Sequence, residues 1–523
     1  MESPLTPLEF ARRARRVYPH REAVVDGQTR LTYEQFLDRC DRWSTVLREL
    51  GVGPGDRVAC IAPNSHANLE AFYAIPQLGA VIVPINYRLS TDDFVYILNH
   101  SGAKVVCVDA EYLDLVDQIR AAVPGVKHFV AFTGGKPDWI SYEARLAAAR
   151  PVTDLPVIDE HSVLSINYTS GTTARPKGVM LTHRNLYLNI MGRLCHTHMD
   201  SGDRYLWTLP MFHVNGWCFV WTVTAVGGTH VCLNRPETKR IFELLREERV
   251  SIFCAAPTIL IGIANSPAEY HRAIPRGVRV LTAGAPPAAA TIERIEGEFG
   301  WTITHVYGLT EVSPIVTVAE MRPEDAQLGR KEVALLKARQ GVEAIACGEV
   351  LVVDDQNREV PHDGLTLGEV VMRGHAVMLG YYNDPEATAQ AMRGGWFHSG
   401  DAAVVHPDGY LEIRDRWKDV IISGGENISS IEVEGTLLRH KAVQEVAVVG
   451  KPHEKWGETP VAFVVLRAGA TAEAAELRAF CREHLAHFKV PHEFNFVTEL
   501  PKTSTGKIQK YILRGGKPNL ARQ

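Results

Sequence analysis

Hydrophobic positions in the first 320 residues follow two alternating patterns. Short apolar runs of strand length recur between segments whose apolar residues are spaced as on one face of a helix. The strand-like runs include Arg57–Ala62, Ala80–Pro84, Lys104–Val108 and Thr229–Leu233, and the helical segments include Thr32–Leu50 and Arg240–Glu248. This alternation predicts a layered α/β architecture with mostly parallel sheets.

The pattern changes after about Cys347. Short apolar runs, among them Gly348–Val353 and Gly368–Met372, are now separated by turn signals at Asp354–Asp355, Asp363–Gly364 and Asp408–Gly409. Short strands bounded by such turns are typical of antiparallel sheets. We therefore predict a small β-barrel-like subdomain at the end of a large N-terminal domain that also holds two layered α/β subdomains.

The last hundred residues form a third pattern. Strand, strand, helix and strand are predicted in that order, at Val443–Val449, Val461–Leu466, Ala472–Leu485 and Phe494–Phe496. This order predicts a small α+β domain. The charged stretch Arg414–Asp419 precedes it, so we predict an N-terminal domain over residues 1–415, a hinge at 416–418 and a mobile C-terminal domain over 419–523.

Composition narrows the function classes. The 523 residues are 46% apolar and 22% charged, with a net charge of −5, so no broad basic surface marks the chain for nucleic acid. The first 23 residues lack the long apolar stretch of a signal peptide. Nine cysteines lie far apart without a CxxC pair, which predicts reduced thiols in the cytoplasm and no zinc site.

The most informative segment follows the apolar run Ser162–Asn167. It reads Tyr168–Thr169–Ser170–Gly171–Thr172–Thr173–Ala174–Arg175–Pro176–Lys177–Gly178. Its hydroxyls, backbone N–H groups and lysine are suited to cradle a polyphosphate. It is not a Walker loop, because Pro176 and Gly178 occupy the positions that need glycine and serine or threonine. For the segment in isolation, a solvated, hydroxyl-rich turn is the favoured interpretation.

With its flanks, the segment closely resembles the signature loop of the acyl-adenylate-forming superfamily. That superfamily includes acyl-CoA synthetases, beetle luciferases and peptide-synthetase adenylation domains. The resemblance implies that Lys177 acts in catalysis and that the phosphates of ATP are bound by Thr169, Ser170, Gly171, Thr172 and Thr173. Many members carry glycine where this chain has Ala174, which makes a positive φ less favourable there.

Further motifs extend the resemblance over essentially the whole chain. His305–Glu311 is similar to the adenylate motif, which implies that Tyr307 and Gly308 contact adenine, Thr310 contacts phosphate and Glu311 holds Mg²⁺. Other segments that match the family supply the adenine and acyl pocket and the ribose contacts. They are Gly284–Ala285–Pro286 for the pocket, and Asp401 with Arg416 for the ribose hydroxyls.

The C-terminal motifs match the family's moving parts. Pro501–Lys507 resembles the loop that carries the catalytic lysine, which implies that role for Lys507, while Lys510 stands where arginine is usual. Lys418 matches the hinge position. Gly424 and Gly425 match the segment that lines the pantetheine tunnel, although a plain hairpin turn also fits these glycines.

The family's chemistry implies what the chain does with these parts. A carboxylate reacts with ATP to give an acyl-adenylate and pyrophosphate, and the acyl group then passes to the thiol of coenzyme A. Lys177, Lys507 and Mg²⁺ would neutralise the charge that builds up in the first step. ATP, Mg²⁺ and coenzyme A are therefore the expected cofactors, with no nucleic acid and no transmembrane segment. The sequence leaves the oligomeric state open, a homodimer included.

The segment Met211–Trp217 bears on the acid. Amino-acid-activating members usually carry aspartate after an aromatic residue here, whereas this chain has His213 after Phe212, which favours an acid without an amino group. Trp217 matches the tryptophan that gates the acyl tunnel of fatty acyl-CoA synthetases, and a core aromatic fits equally well. We predict a fatty acid of medium to long chain.

Four alternatives stay open at this stage. An adenylating enzyme could load a carrier protein, oxidise its adenylate as luciferases do, or act on an aryl or other small acid. A non-catalytic adenylate-binding regulator belongs to a different class, and the presence of Lys507, Glu311 and Asp401 argues against it.

Overall fold

The computed structural model describes residues 3–169, 175–424, 426–502 and 508–515. The chain divides into two compact units, which are Met1–Val350 with Met372–Phe397, and Leu351–Val371 with His398–Gln523. The hinge at 416–418 stays a prediction.

Several helices of the first unit begin directly after a capping residue, namely Thr32, Ser65, Ser90, Ser141, Thr182 and Asp384. The long helix Tyr33–Glu49, for example, is preceded by a capping box in which Thr32 and Gln35 bond each other's backbone N–H groups. The α-helices are Leu8–Val17, Tyr33–Glu49, His66–Ala74, Thr91–Ser101, Leu113–Gln118, Tyr142–Ala148, His183–Thr197, Phe219–Val226, Thr238–Glu247, Pro257–Ala264, Ala289–Phe299, Arg330–Lys337 and Pro385–Ala391, followed in the second unit by Ser430–Leu437, Ala474–His484 and Lys510–Leu513.

The strands agree with the apolar runs of the sequence to within a few residues. In chain order they are β1 Glu22–Asp26, β2 Thr29–Thr32, β3 Arg57–Ile61, β4 Val81–Pro84, β5 Ala103–Val108, β6 His128–Ala131, β7 Ile140–Ser141, β8 Val163–Thr169, β9 Lys177–Thr182, β10 Arg204–Leu206, β11 Thr229–Val231, β12 Ile252–Ala255, β13 Arg279–Thr282, β14 Thr302–Gly308, β15 Ile315–Val318, β16 Val342–Glu343, β17 Glu349–Val353, β18 Gly368–Arg373, β19 Gly380–Tyr381, β20 Phe397–Val405, β21 Leu411–Arg416, β22 Ile421–Ser423, β23 Glu426–Ile428, β24 Val443–His453, β25 Gly457–Leu466 and β26 Glu493–Phe496.

Two large mixed sheets form the first unit. One has the order β16-β15-β14-β13-β12-β10-β11-β1-β2, and the other has the order β19-β9-β8-β4-β3-β5-β6-β7. The strand pairs from β14 to β1 in the first sheet and from β8 to β7 in the second are parallel. The remaining pairs of both sheets are antiparallel. The four residues of β12 are all buried, as expected for a parallel strand covered on both faces. The predicted parallel α/β layering is confirmed.

Two smaller sheets form the second unit. Strands β17, β18, β20 and β21 make a four-stranded sheet, and β23-β22-β25-β24 make another in which β26 pairs with β25. Helices Ser430–Leu437 and Ala474–His484 bury Val433, Leu437 and Leu477 in the core that this second sheet forms. The predicted α+β tail is present with its strands and helix in the expected order.

One segment of the first unit has an unusual backbone. Between His213 and the helix Phe219–Val226, all five residues have positive φ, from 38° at Val214 to 67° at Cys218. A left-handed turn of this length is unfavourable for L-residues, and most of all for β-branched valine. It persists because Asn215 Nδ2 donates to Ser165 Oγ of β8 at 2.8 Å and because Gly216 lies flat against the ring of Trp207.

Substitution of Gly216 tests this account. In Gly216→Ala the new methyl group would overlap the Trp207 ring at a residue with φ 54°. Gly277→Ala is the matched control, since it also has positive φ, at 72°, but open space around it. We expect about 1–2 kcal/mol of destabilisation for the control, and a further loss of about 1–3 kcal/mol for Gly216→Ala. Calorimetric unfolding measures both, and equal losses would contradict the role of Trp207.

Candidate active site

The carboxyl ends of two neighbouring parallel strands bring two predicted site segments together. Strand β13 ends at Thr282 and leads into Gly284–Pro286, while β14 ends with Tyr307 and Gly308. Thr282 is paired with His305, so both ends lie at the same edge of the sheet. Gly284, Ala285 and Pro286 are exposed there, and Gly284 has φ 91°, a conformation that suits glycine.

Gly308 has a packing reason for being glycine. A Cβ at this position would overlap the carbonyl group of Pro314, because β14 and the chain leading into β15 approach closely. The chain then turns through a short 3₁₀ segment, Thr310–Val312, which contains both Thr310 and Glu311. The close approach therefore fixes where this turn presents its hydroxyl and carboxylate.

Tyr381 connects two of the predicted catalytic residues. Its hydroxyl donates to Glu311 Oε1 at 3.0 Å, and Lys177 Nζ lies 4.8 Å from the centre of its ring. Burial and the neighbouring Glu311 raise the pKa of Tyr381, so the hydroxyl stays protonated as a donor. The sequence reasoning missed Tyr381; the only signal was a lone Gly-Tyr-Tyr segment at 380–382.

Lys177 owes its place to strand pairing. β8 and β9 form an antiparallel pair in which Thr169 lies opposite Lys177, so both residues stand at the neck of the phosphate loop. On the other side of β9, Tyr381 pairs with Val179. Four of the predicted phosphate contacts, Ser170, Gly171, Thr172 and Thr173, lie outside the described residues, as do Ala174, Gly425 and Lys507.

His213 directly precedes the left-handed turn, and Trp217 lies within it. His213 is half-buried, and burial lowers the pKa of its imidazole, which is therefore neutral at pH 7. Trp217 is only 5% exposed, while the neighbouring Phe212 packs edge-on against Tyr87. Because Asn215 bonds to Ser165 of β8, the turn is tied to the strand that carries the phosphate loop.

The described residues of this site could hold a divalent cation through a single carboxylate together with substrate phosphates. Within the described ranges, no group of three or more histidine, cysteine or acidic side chains could hold a metal ion. Mg²⁺ differs from metals that need such a cage, because it is commonly held by one or two carboxylates together with substrate phosphates and water. The carboxylate of Glu311, close to the neck of the phosphate loop, meets that requirement.

The second unit brings the two predicted ribose contacts together. Asp401 of β20 lies opposite Arg416 of β21, and Arg416 Nε is 2.8 Å from Asp401 Oδ1. Asp401 is 4% exposed, its backbone N–H donates to Ser399 Oγ, and its carboxylate is held by Arg416. Two neighbouring strands thus present one acceptor and one donor group side by side.

The remaining predicted residues of this unit lie in two turns. Lys418 is exposed within the 3₁₀ turn Trp417–Asp419, directly after β21. Gly424 follows β22 in the two-residue connection to β23, with φ 61°. Its N–H donates to the carbonyl of Trp456, and a Cβ would lie 2.9 Å from that ring. The backbone at Gly424 thus packs closely against the ring of Trp456.

Lys510, the departure from the family pattern, is a half-buried anchor. Its Nζ lies 2.8 Å from Glu434 Oε1 and also contacts Ser430 Oγ, which in turn contacts Asp415. Burial raises the pKa of Glu434, whereas the nearby lysine opposes this effect. The lysine thus ties the short helix after the predicted catalytic loop to the start of Ser430–Leu437.

Comparison with known proteins gives the same assignment over the two parts of the chain. A family model described as "AMP-binding enzyme" matches residues 10–382, and a second, "AMP-binding enzyme C-terminal domain", matches residues 432–507. No helix of the described residues is long and apolar enough to cross a membrane.

Curated relatives match over nearly the full length. The chain is 44% identical to 4-hydroxybutyrate–CoA ligase 2 of Metallosphaera sedula and 42% identical to the peroxisomal acetate/butyrate–CoA ligase AAE7 of Arabidopsis thaliana. In each case 98% of this chain and 94% of the relative are covered.

Solved structures share the fold. The anthranilate CoA ligase AuaEII in complex with anthranoyl-AMP matches with a TM-score of 0.86 and 26% identity, covering 98% of both chains. The fatty acyl CoA synthetase of Mycobacterium tuberculosis matches with a TM-score of 0.75 and 33% identity, again over 98% of both. The chain therefore belongs to the AMP-binding enzyme family, the acyl-adenylate-forming superfamily that its motifs predict, and is an acid–thiol ligase with a large N-terminal and a small C-terminal domain.

Proposed function

We propose that this protein joins a short-chain carboxylic acid to coenzyme A, with ATP cleaved to AMP and pyrophosphate through an acyl-adenylate. The observation that carries the proposal is the linked set Lys177, Tyr381 and Glu311 at the neck of the phosphate loop. A cation and a carboxylate held close together suit the meeting of a charged acid with a charged triphosphate.

Adenylation needs the acid and the α-phosphate brought together while their negative charges are neutralised. Lys177 would supply charge from the neck of the loop, and Lys507 would supply more from the C-terminal loop. Mg²⁺ held by Glu311 would add Lewis-acid stabilisation to the phosphates. Asp401 would accept hydrogen bonds from the ribose hydroxyls. No protein nucleophile is required, so positioning and electrostatics supply the catalysis.

Transfer to the thiol needs a different face of the small domain. Lys507 and Gly425 carry contacts for different half-reactions but belong to one small domain, so they cannot serve one adenylate at the same time. Rotation about Lys418 would exchange them, and the narrow pantetheine arm would then pass beside the backbone at Gly424. Its fit against Trp456 suits such a close approach.

Size of the acid is the point on which the proposal differs from the sequence expectation. The relatives that are 44% and 42% identical are named for 4-hydroxybutyrate and for acetate or butyrate. Trp217, almost fully buried, would close a pocket for so short an acid. A medium- to long-chain acid is the second candidate, supported by the 33% identical fatty acyl CoA synthetase. An aryl acid has the support of the anthranilate ligase, whose identity is lower.

The cellular location of the protein and the identity of the acyl acceptor are still open. The cytoplasmic location predicted from the cysteines stays a prediction, since the Arabidopsis relative is named as peroxisomal. Loading of a carrier protein in place of coenzyme A is a separate alternative, and an assay of AMP release with and without coenzyme A distinguishes the two.

The test of the function is a product analysis with acids of two to twelve carbons. We expect acid-dependent AMP and pyrophosphate, acyl-CoA only when coenzyme A is present, and the highest kcat/KM at about two to five carbons. Acid-dependent ADP would contradict the adenylate chemistry. A maximum at eight or more carbons would leave the ligase function intact and favour the second candidate.

Lys507→Ala separates the half-reactions. We expect pyrophosphate exchange to fall by roughly 10²–10³-fold, the usual scale for the loss of one group that stabilises transition-state charge. Thioester formation from synthetic acyl-AMP should proceed at near the wild-type rate, because the lysine has left the site by then. Equal losses in both assays would refute the role of Lys507.

Tyr381 offers a graded test of the site geometry. Tyr381→Phe keeps the ring beneath Lys177 and removes only the bond to Glu311, whereas Tyr381→Leu removes both. We expect a rise in the Mg²⁺ concentration needed for half-maximal pyrophosphate exchange in both variants, and a further fall in kcat of about tenfold in the leucine variant only. Indistinguishable kinetics of the two variants would show that the ring contributes nothing.

Lys418→Pro tests the hinge without touching the proposed pockets. Proline fixes φ near −65° and so resists the rotation of the small domain. We expect nearly normal pyrophosphate exchange and strongly impaired conversion of acyl-AMP and coenzyme A into thioester. Lys418→Ala is the control, since it removes the side chain and leaves φ unrestricted. Wild-type rates for the proline variant in both assays would place the pivot elsewhere.

A further inference from the structure

Arg193 is a buried cation for which the described residues provide no anionic partner. It lies on the helix His183–Thr197, is 0% exposed, and its Nε and both Nη atoms have no hydrogen-bond partner within the described parts of the chain. An arginine side chain carries five donors and keeps its charge in proteins. A buried charge left unpaired costs several kcal/mol, so natural proteins seldom retain one without a use for it.

The surroundings of Arg193 are thiols and not carboxylates. Burial lowers the pKa of Arg193, whereas Cys347, Cys218 and Cys254 oppose this effect, and the Cys347 thiol also interacts weakly with the guanidinium through its side chain. Two of these thiols are engaged elsewhere, because Cys218 Sγ donates to the Ser313 carbonyl at 3.2 Å and Cys347 Sγ to the Ile315 carbonyl at 3.1 Å. Neither thiol therefore neutralises the guanidinium.

Two more buried polar atoms lie in the same region without partners in the described chain. Asn189, one helical turn before Arg193, donates from Nδ2 to the Ile315 carbonyl at 3.0 Å, but its Oδ1 has no donor. Tyr205 of β10 is 0% exposed, and its hydroxyl lies near the Cys254 thiol but has no oxygen or nitrogen partner in the described chain. Donors and an acceptor thus collect at one buried place.

This place adjoins the active site. Cys218 directly follows Trp217 in the left-handed turn, and Ser313 follows the turn that carries Thr310 and Glu311. Arg193 therefore lies behind the two segments that present the proposed acyl pocket and the proposed phosphate contacts. With the roles proposed above for the phosphate loop and for Trp217, the far end of the acid would lie on the Trp217 side of the site, toward Arg193.

We propose that Arg193, with Asn189 and Tyr205, binds an oxygen atom at the far end of a short carboxylic acid, either a hydroxyl group or a second carboxylate. The inference rests on the proposed ligase function and names its substrate class. A guanidinium fork suits a carboxylate in two-point contact and also donates to a hydroxyl oxygen. A site built to bond such an oxygen discriminates against an unsubstituted acid, because the buried donors then stay unpaired.

Three acids of equal length test the proposal on the wild-type enzyme. Butyrate, 4-hydroxybutyrate and succinate all have four carbons, and only the last two carry an oxygen at the far end. We expect at least one of these two to exceed butyrate in kcat/KM for AMP release by about 10–10²-fold, the scale of a buried hydrogen bond to a charged group. The better of the two identifies the group as hydroxyl or carboxylate.

Variants of Arg193 show whether this residue is responsible. In Arg193→Met, the kcat/KM values for butyrate and for the better oxygen-bearing acid should differ by no more than about twofold. The Tm of the free enzyme should be equal or higher, because the substitution removes an uncompensated buried charge. Arg193→Lys keeps the charge without the fork and should give an intermediate preference. Arg184→Met, on the same helix but in an ion pair with Glu160, is the control and should keep the wild-type ranking.

The outcomes are distinguishable. An arginine held only by buried water would give a lower Tm in Arg193→Met together with an unchanged ranking of acids, and this result would overturn the proposal. The proposal would also be overturned if the wild-type kcat/KM for butyrate equals or exceeds those for both 4-hydroxybutyrate and succinate. This result does not depend on whether the variants fold. If other acids react but none of these three does, the proposal is wrong and the ligase function stands; if no acid yields AMP, the ligase function itself is wrong.

Discussion

The position of Lys177 opposite Thr169 is the constraint on which the rest of the active site depends. Antiparallel pairing of β8 and β9 closes the phosphate loop at its neck and sets the lysine there. β19 then pairs along β9 and places Tyr381 beneath the lysine and against Glu311. One edge of a sheet thereby brings together a cation and a carboxylate that are more than a hundred residues apart in the chain.

The left-handed turn at 214–218 illustrates a different use of tertiary contacts. Five consecutive positive φ values are unfavourable, and the turn carries the two residues that bear on acid specificity at its ends. The hydrogen bond to Ser165 and the packing of Gly216 on Trp207 hold it in place. Strain of this kind fixes His213 and Trp217 relative to the phosphate strand more rigidly than a relaxed loop would.

Buried polar groups divide into those that the protein satisfies and those that it leaves for a ligand. Lys510 is half-buried and paired with Glu434, so it anchors the C-terminal segment of the second unit. His230 is buried and neutral, with a pKa lowered to about 3 by burial, and its ring accepts from Trp207 Nε1 and bonds Thr224. The guanidinium of Arg193 has no comparable hydrogen bonds in the described residues, and for this reason we propose that a substrate supplies its partner.

The sequence by itself determined the α/β layering, the order of the elements and the identity of the family. Those features depend on periodicity and on short contiguous motifs, which a linear chain displays directly. It also named Lys177, Glu311, Asp401 and Arg416 as partners in chemistry, although it could not show that Tyr381 connects the first two or that the last two lie opposite each other in β20 and β21. Tertiary structure decided those contacts, the left-handed turn and the isolation of Arg193, because each arises between residues far apart in the chain. Whether a buried arginine has a partner depends on what the folded chain packs around it, and no local pattern carries that information.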